Sequence, residues 1–158
     1  MPLLVVPTPI GNMEDITLRA LRALKEADVI ACEDTRRTMK ILSRYGIGTP
    51  LLSYHSFNEK ERTQDLVGRL SRGETVALVS DAGTPGISDP GYELIRHSLE
   101  AGYEVDVLPG ATAVVPALLL SGFPPRPFLF EGFLPKRKGE RRRRLGELRT
   151  FGGAVVFY

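Results

Sequence analysis

Short apolar runs alternate along the chain with longer stretches in which apolar residues recur at helical spacing. The runs that predict strands are "LLVV" (3–6), "VIACE" (29–33), "LLSY" (51–54), "TVALVS" (75–80) and "YEVDVLPG" (103–110). Helices are predicted between them, at 14–28, at 35–46 with Gly46 at its end, at 58–73 and at 90–102. Because these strands are mostly apolar rather than alternating, we expect an α/β fold with a doubly wound, mostly parallel sheet covered on both faces.

This pattern changes near residue 112. The segment "TAVVPALLLSGFPP" (112–125) predicts a helix interrupted by Pro116, and "FLFEGFLP" and "GGAVVFY" predict further strands. We therefore divide the chain into an N-terminal α/β domain at 1–112 and, at 113–158, a linker helix with the opening part of a truncated C-terminal α/β domain. The last strand is expected to need neighbours from the rest of that second domain.

The amino-acid composition excludes several classes of protein. The chain has 158 residues and is 42% hydrophobic, as expected for a globular protein with a core of ordinary size. One cysteine, Cys32, and two histidines, His55 and His97, offer neither an internal disulfide nor a credible metal ligand set. The start of the chain resembles neither a signal peptide nor a membrane span, so we expect a cytoplasmic, metal-free protein.

Charge is concentrated in one segment. The net charge is only +2, yet "KRKGERRRR" (136–144) holds seven basic residues and one acid, so the rest of the chain is acidic overall. Such a run is either a solvated helix face or mobile loop, or a surface that contacts a phosphate backbone.

The loops that follow the strands carry the candidate chemistry. "TPIGN", "EDTRR", "SDAGTPGISDP" and "PGATA" would all meet at the carboxyl edge of the sheet, where ligands bind in such folds. The third has neither the terminal Lys-Ser/Thr of a P-loop nor the glycine spacing of a dinucleotide site. Its glycines and prolines favour fixed main-chain groups presented to a polar ligand, and the alternative is a tight connection without a ligand.

Longer motifs resemble one family. "TPIGNMEDITLRAL", "EDTRRT", "SYHSFNE", "VALVSDAGTPGISDPGYELI", "LPGATA", "SGFPP" and "FEGFLPKRKGER" occur in the order and spacing of the ribosomal RNA small-subunit methyltransferase I family, in the tetrapyrrole-methylase superfamily. The resemblance implies a tetrapyrrole-methylase-like fold and S-adenosylmethionine as methyl donor. It also implies 2′-O-methylation of a cytidine in small-subunit ribosomal RNA, the small ribosomal subunit as partner, and a homodimer.

The resemblance also implies site residues. Donor contacts are expected at Pro9, Ile10, Gly11, Asp81, Ala82, Gly83, Thr84, Ile87, Thr112 and Ala113. Thr84 stands where tetrapyrrole methylases have an acid, so Asp81 is expected to take over a polar contact. RNA contacts are expected at Arg36, Arg37, Lys136, Arg137, Lys138, Arg141, Arg142, Arg143 and Arg144.

A ribose hydroxyl is a poor nucleophile, so a nearby base would assist methyl transfer. The catalytic candidates are Glu33, Asp34 and Asp81, with His55 and Asp89 also near the expected edge. Structural alternatives remain open, because Asp34 or Thr35 is also suited to cap the next helix, and His55 to lie in a loop without a catalytic role. Asp89 is expected to cap the helix that follows it, and Cys32 to be a core residue.

Two other functions compete with RNA methylation. One is methylation of a tetrapyrrole, such as a corrin precursor, by an enzyme of the same fold, which the basic segment disfavours. The other is a non-catalytic RNA-binding module, which would not bind the methyl donor.

Overall fold

The computed structural model describes residues 2–158, which form seven strands and six α-helices. The strands are β1 (Leu3–Val5), β2 (Val29–Cys32), β3 (Leu51–Ser53), β4 (Val76–Val79), β5 (Val105–Val107), β6 (Phe128–Gly132) and β7 (Ala154–Phe157). The helices are α1 (Leu18–Glu26), α2 (Thr35–Arg44), α3 (Glu59–Ser71), α4 (Tyr92–Glu100), α5 (Val114–Leu120) and α6 (Lys138–Leu148). The chain forms two units, the first ending at Ala111 and the second covering Thr112–Tyr158.

The first unit contains the predicted doubly wound sheet, and the prediction is confirmed. Its five strands are all parallel in the order β3-β2-β4-β1-β5. Successive residues of a strand point to opposite faces, so Leu3 and Val5 pack in one core and Val6 packs in the other. Helices α1 and α2 cover one face, and α3 and α4 cover the other. Two apolar faces explain why the strands read as continuous apolar runs.

Capping side chains decide where the helices begin. The segment predicted as one helix at 14–28 starts later, because Asn12 caps a short 3-10 helix at Met13–Asp15. The Thr17 hydroxyl then accepts a hydrogen bond from the Ala20 N–H and begins α1. The predicted glycine end of α2 is confirmed, since Gly46 has a φ of +62°.

The second unit is a parallel strand pair, β6 and β7, joined through α6 and preceded by α5. Pro116 does not interrupt α5, because it lies in the first turn, where its missing N–H removes no helical hydrogen bond. The basic segment forms most of α6 rather than a mobile loop. Within residues 2–158, every helix is too short or too polar to cross a membrane.

Candidate functional site

The loops after β1 and β4 are joined by a pair of main-chain hydrogen bonds. Thr8 and Gly83 exchange N–H to carbonyl bonds in both directions, each 2.9 Å long. The buried Thr8 hydroxyl also donates to the Ser80 carbonyl at 3.0 Å. Gly83 adopts a φ of +82°, which other residues reach only with strain. These hydrogen bonds therefore hold the two loops in a fixed arrangement at the carboxyl edge of the sheet.

The loop after β5 closes against the same edge. A methyl group placed on Gly110 would lie 2.7 Å from Cβ of Pro7, closer than two non-bonded carbon atoms approach each other. The Thr84 hydroxyl donates to the Ala111 carbonyl at 3.4 Å. Glycine is therefore required at position 110 for the loops after β1 and β5 to meet.

Several main-chain N–H groups at this edge have no hydrogen-bond acceptor among the described residues. Across residues 2–158, the N–H groups of Gly11, Ala82 and Thr84 have no hydrogen-bond partner. The apolar side chains of Ile10 and Ile87, from the two loops, are 40% and 47% exposed. The edge thus combines unpaired N–H groups with exposed apolar surface, which suits a ligand that has both acceptors and an apolar ring.

The donor-contact residues predicted from the resemblance differ in accessibility. Pro9 and Gly83 are buried and belong to the frame of the loops, whereas Gly11 and Ala82 are exposed. Thr112 and Ala113 are half-buried and open the second unit, directly before α5.

Asp81 ties the loop after β2 to the loop after β4. Its Oδ1 accepts the Asp34 main-chain N–H at 3.0 Å, and its Oδ2 lies 3.3 Å from Nη1 of Arg37. Both carboxylate oxygens are therefore engaged, so Asp81 positions the start of α2.

Asp34 has a structural role of its own. Its carboxylate accepts the Arg36 N–H at 2.8 Å and so caps α2. The alternative that Asp34 is a helix cap is therefore confirmed. Arg36 is exposed, and no carboxylate of residues 2–158 pairs with its guanidinium, in contrast to Arg37.

Glu33 is the candidate acid whose carboxylate has no such engagement within the described residues. It lines a cleft of about 470 Å³ together with Ser88 and Asp89. Burial, and then the nearby carboxylates of Asp81 and Asp89, raise the pKa of Glu33 above its ordinary value, while Arg37 and His55 oppose the shift. A carboxylate with a raised pKa beside an open cleft is suited to accept a proton.

The expectation that Asp89 caps α4 is wrong. Gly91 is the N-cap of α4, and no side chain of the described residues caps this helix. The Gly91 main-chain N–H donates to Oε1 of Glu59, 3.1 Å away. Burial and the charge of Asp81 raise the pKa of Asp89. The hydroxyl of buried Tyr54 also donates to Oε1 of Glu59, at 3.0 Å. The sequence did not predict this role of Glu59, because its contact to Gly91 spans 32 residues and no local motif indicates it.

His55 and Cys32 take no part in these contacts. The main-chain N–H of His55 donates to Oδ1 of Asn58 at 2.8 Å. The buried ring nitrogen Nδ1 of His55 has no hydrogen-bond partner in the part of the chain that the structure describes. Cys32 is fully buried in β2, which confirms the predicted core position. No three His, Cys, Asp or Glu side chains among residues 2–158 are placed to hold a metal ion.

The predicted RNA-contact residues of the second unit lie on or just before α6, and all are exposed except Arg144. Arg144 is half-buried and donates to both carboxylate oxygens of Glu131 in β6 and to Oε2 of Glu147. The bonds from Arg144 hold the pKa of Glu131 below its ordinary value. One arginine of the basic segment is thus committed to holding α6 beside the strand pair.

Comparison with protein families gives one match over nearly the whole chain. A family model described as Tetrapyrrole (Corrin/Porphyrin) Methylases matches residues 2–158. Curated relatives named "Ribosomal RNA small subunit methyltransferase I" are 51% identical in Thermotoga maritima, 51% in Halalkalibacterium halodurans and 47% in Bacillus subtilis. Each alignment covers 99% of this chain. The chain spans 70% of the Thermotoga relative but only about half of the other two.

Solved structures of similar fold agree with this match. A diphthine synthase superposes with a TM-score of 0.78 at 16% identity, over 100% of this chain and 64% of that protein. Uroporphyrin-III-C-methyltransferase from Thermus thermophilus gives 0.66 at 24% identity, over 92% and 73%. At these identities the likeness concerns the fold alone.

Proposed function

We propose that this chain is part of an S-adenosylmethionine-dependent RNA methyltransferase. The chain belongs to the tetrapyrrole (corrin/porphyrin) methylase family, and within it to the ribosomal RNA small subunit methyltransferase I group. The reaction is transfer of a methyl group to the ribose 2′-oxygen of a cytidine in small-subunit (16S) ribosomal RNA. Since the chain covers only about half of most of these relatives, the proposal concerns the activity of the whole protein.

The observation that carries the proposal is the edge formed by the loops after β1, β4 and β5. Main-chain N–H groups of Gly11, Ala82 and Thr84 offer donors to the carboxylate and adenine acceptors of S-adenosylmethionine. The exposed side chains of Ile10 and Ile87 offer apolar surface for the adenine ring. Glycine at positions 83 and 110 keeps this edge open, because any side chain there would strain or displace the loops. These features fit the donor, and we propose Thr112 and Ala113 as further donor contacts because the family resemblance implies them.

S-adenosylmethionine, when bound, supplies a methyl group that is already electrophilic. The protein therefore has to hold the ribose hydroxyl in line with that methyl group and to accept the proton the hydroxyl loses. We assign the proton to Glu33, because Asp34 caps α2 and Asp81 is bound to the Asp34 N–H and Arg37. Asp81 then acts as a positioning residue that holds the connection between β2 and α2, in which Glu33 lies.

We propose that exposed cationic side chains hold the RNA. Arg36 is exposed near the carboxyl edge without a carboxylate partner in the described residues, and the basic residues of 136–144 other than Arg144 lie exposed on or just before α6. A cytoplasmic location follows from the substrate, since ribosomal RNA is there. We also propose a homodimer, supported by the exposed apolar side chains of Leu119 and Leu120 on α5.

The test is methyl transfer from labelled S-adenosylmethionine to isolated small ribosomal subunits, run beside a tetrapyrrole acceptor and followed by mapping of the labelled nucleotide. We expect label only in the ribosomal RNA, on a cytidine ribose. Label in the tetrapyrrole alone would establish the rival methylation, and label on a base would overturn the assigned 2′-oxygen. Calorimetry with the donor separates a non-catalytic RNA-binding module, which would release no heat.

A further inference from the structure

Helix α6 separates its charges onto two faces. At about 100° per residue, Lys138, Arg142 and Arg149 fall within about 40° of one another around the helix axis, and Arg141 lies about 60° to one side. The two acids of the helix, Glu140 and Glu147, lie on the opposite side. We call the first group the basic face, made of Lys138, Arg141, Arg142 and Arg149. This arrangement is not visible in the charge run itself, in which the arginines appear equivalent.

Ion pairs follow the same division. Arg144 is bound to Glu131 and Glu147, Arg143 lies 3.8 Å from Glu147, and Arg137 lies 3.4 Å from Glu140. In contrast, the structure places no carboxylate of residues 2–158 within 4.0 Å of the cationic groups of the basic face. An arginine that already has a carboxylate partner gains less from a phosphate, because the first partner must be released. The four residues of the basic face carry no such cost.

The pair between Arg144 and Glu131 determines which way the basic face points. Both oxygens of Glu131 accept from the guanidinium, and the Glu131 side chain is only 16% exposed. A planar guanidinium bound through two nitrogens fixes orientation as well as distance. The contact joins α6 to β6 within the second unit and sets the rotation of the helix about its axis.

We propose that the basic face of α6 binds the phosphates of the RNA substrate, and that Arg144 is a positioning residue that orients this face through Glu131. The face extends about 16 Å along the helix from Lys138 to Arg149, enough for successive phosphates of one strand. This inference rests on the proposed function and deepens it. Arg149 joins the RNA-contact residues, while Arg137, Arg143 and Arg144 leave them.

The first test compares two double variants that remove the same charge from the same helix region. Arg141→Ala/Arg142→Ala removes two residues of the basic face, and Arg137→Ala/Arg143→Ala removes two paired residues. Binding of a small-subunit ribosomal RNA fragment is measured from low to moderate salt. For a single strand, each lost phosphate contact reduces the slope of log affinity against log salt by about 0.7, so the first variant should lose about 1.4. The second should keep the wild-type slope.

A second test separates orientation from charge. Glu131→Gln leaves every cation in place and raises the net charge by one, so a purely electrostatic effect would tighten RNA binding. The positioning role predicts the opposite sign, namely weaker binding together with faster amide hydrogen exchange along α6. Glu131→Asp, which keeps the carboxylate, should restore part of both properties.

The outcomes distinguish this inference from the function on which it rests. If the unaltered protein neither binds nor methylates ribosomal RNA, both fail. If it does, but the two double variants lose the same slope, the basic face is wrong and the charge acts diffusely. Tighter or unchanged binding by Glu131→Gln would overturn the positioning role of Arg144.

Discussion

The loops at the carboxyl edge of the first sheet and helix α6 of the second unit both carry candidate binding groups, but of different kinds. The loops offer main-chain N–H groups, as at Ala82 and Thr84, in a frame closed by the Thr8–Gly83 hydrogen bonds. Helix α6 offers long cationic side chains, most of them exposed. Main-chain groups are placed by backbone conformation, whereas a cationic side chain reaches its partner by rotating several bonds.

This difference determines what each region tolerates. One methyl group added at Gly110 would lie 2.7 Å from Pro7 and so displace the loop, whereas salt should change ligand binding at these loops little. Helix α6 should tolerate single side-chain changes on its exposed surface but respond strongly to salt. Sensitivity to shape and sensitivity to salt should therefore divide between the two regions.

The largest expected effect lies in the first unit and comes from a side chain rather than from a main-chain group. Glu33→Gln should slow methyl transfer about 100-fold while donor affinity stays unchanged, because a proton acceptor is lost and no main-chain group moves. Single-turnover rates and calorimetry measure the two quantities. Glu93→Gln is the matched control, since Glu93 lines the same cleft but is paired with Arg96. An equal loss in both variants would mean that the charge of the cleft matters and not Glu33 itself.

The next effect tests the main-chain frame directly. Gly110→Ala should lower donor affinity by about tenfold or more and stability by about 1–3 kcal/mol, because the new methyl group meets Pro7. Both losses should be independent of salt. Gly48→Ala serves as the control, as nothing lies within 4 Å of a methyl group there and its φ is ordinary. Unchanged donor binding by Gly110→Ala would show that the loop after β5 is not part of the donor site.

A smaller effect concerns pH. The pKa of Glu33 is raised by burial and by Asp81, so activity should fall as the pH drops through that raised value. Asp81→Asn removes one of these charges and frees Arg37, and both changes lower the pKa of Glu33. The acidic limb of the pH–rate profile should therefore move to lower pH. An acidic limb that stays in place would indicate that another group is titrating.

The smallest effect separates helix capping from charge. Asp34→Ala should cost about 1 kcal/mol of stability in urea denaturation, because the Arg36 N–H loses its acceptor. Asp34→Asn should retain most of that stability, since an asparagine side chain also caps helices. If the asparagine variant loses as much as the alanine variant, the charge of Asp34 matters more than its cap.

Local features of the fold were predictable from the sequence, whereas long-range contacts were not. Parallel strands, the Gly46 helix end and the core position of Cys32 follow from short-range patterns. The hydrogen bond from the Asp34 N–H to Asp81 joins residues 47 positions apart, and it is the reason we propose a positioning role for Asp81. The same limitation hid the Glu131–Arg144 pair, because a run of arginines gives no indication of which one meets a carboxylate on a neighbouring strand.

The strand order also bears on synthesis of the protein. Strand β1 is made first, but its neighbours in the sheet are β4 and β5, with Leu3 opposite Val76 and Val105. At about 5–20 residues per second, a ribosome needs roughly 4–15 seconds to add the intervening stretch before β4. During that interval the nascent chain holds an apolar strand without its partners. The middle of the sheet is completed late, and the loops at its carboxyl edge become a binding surface only after that.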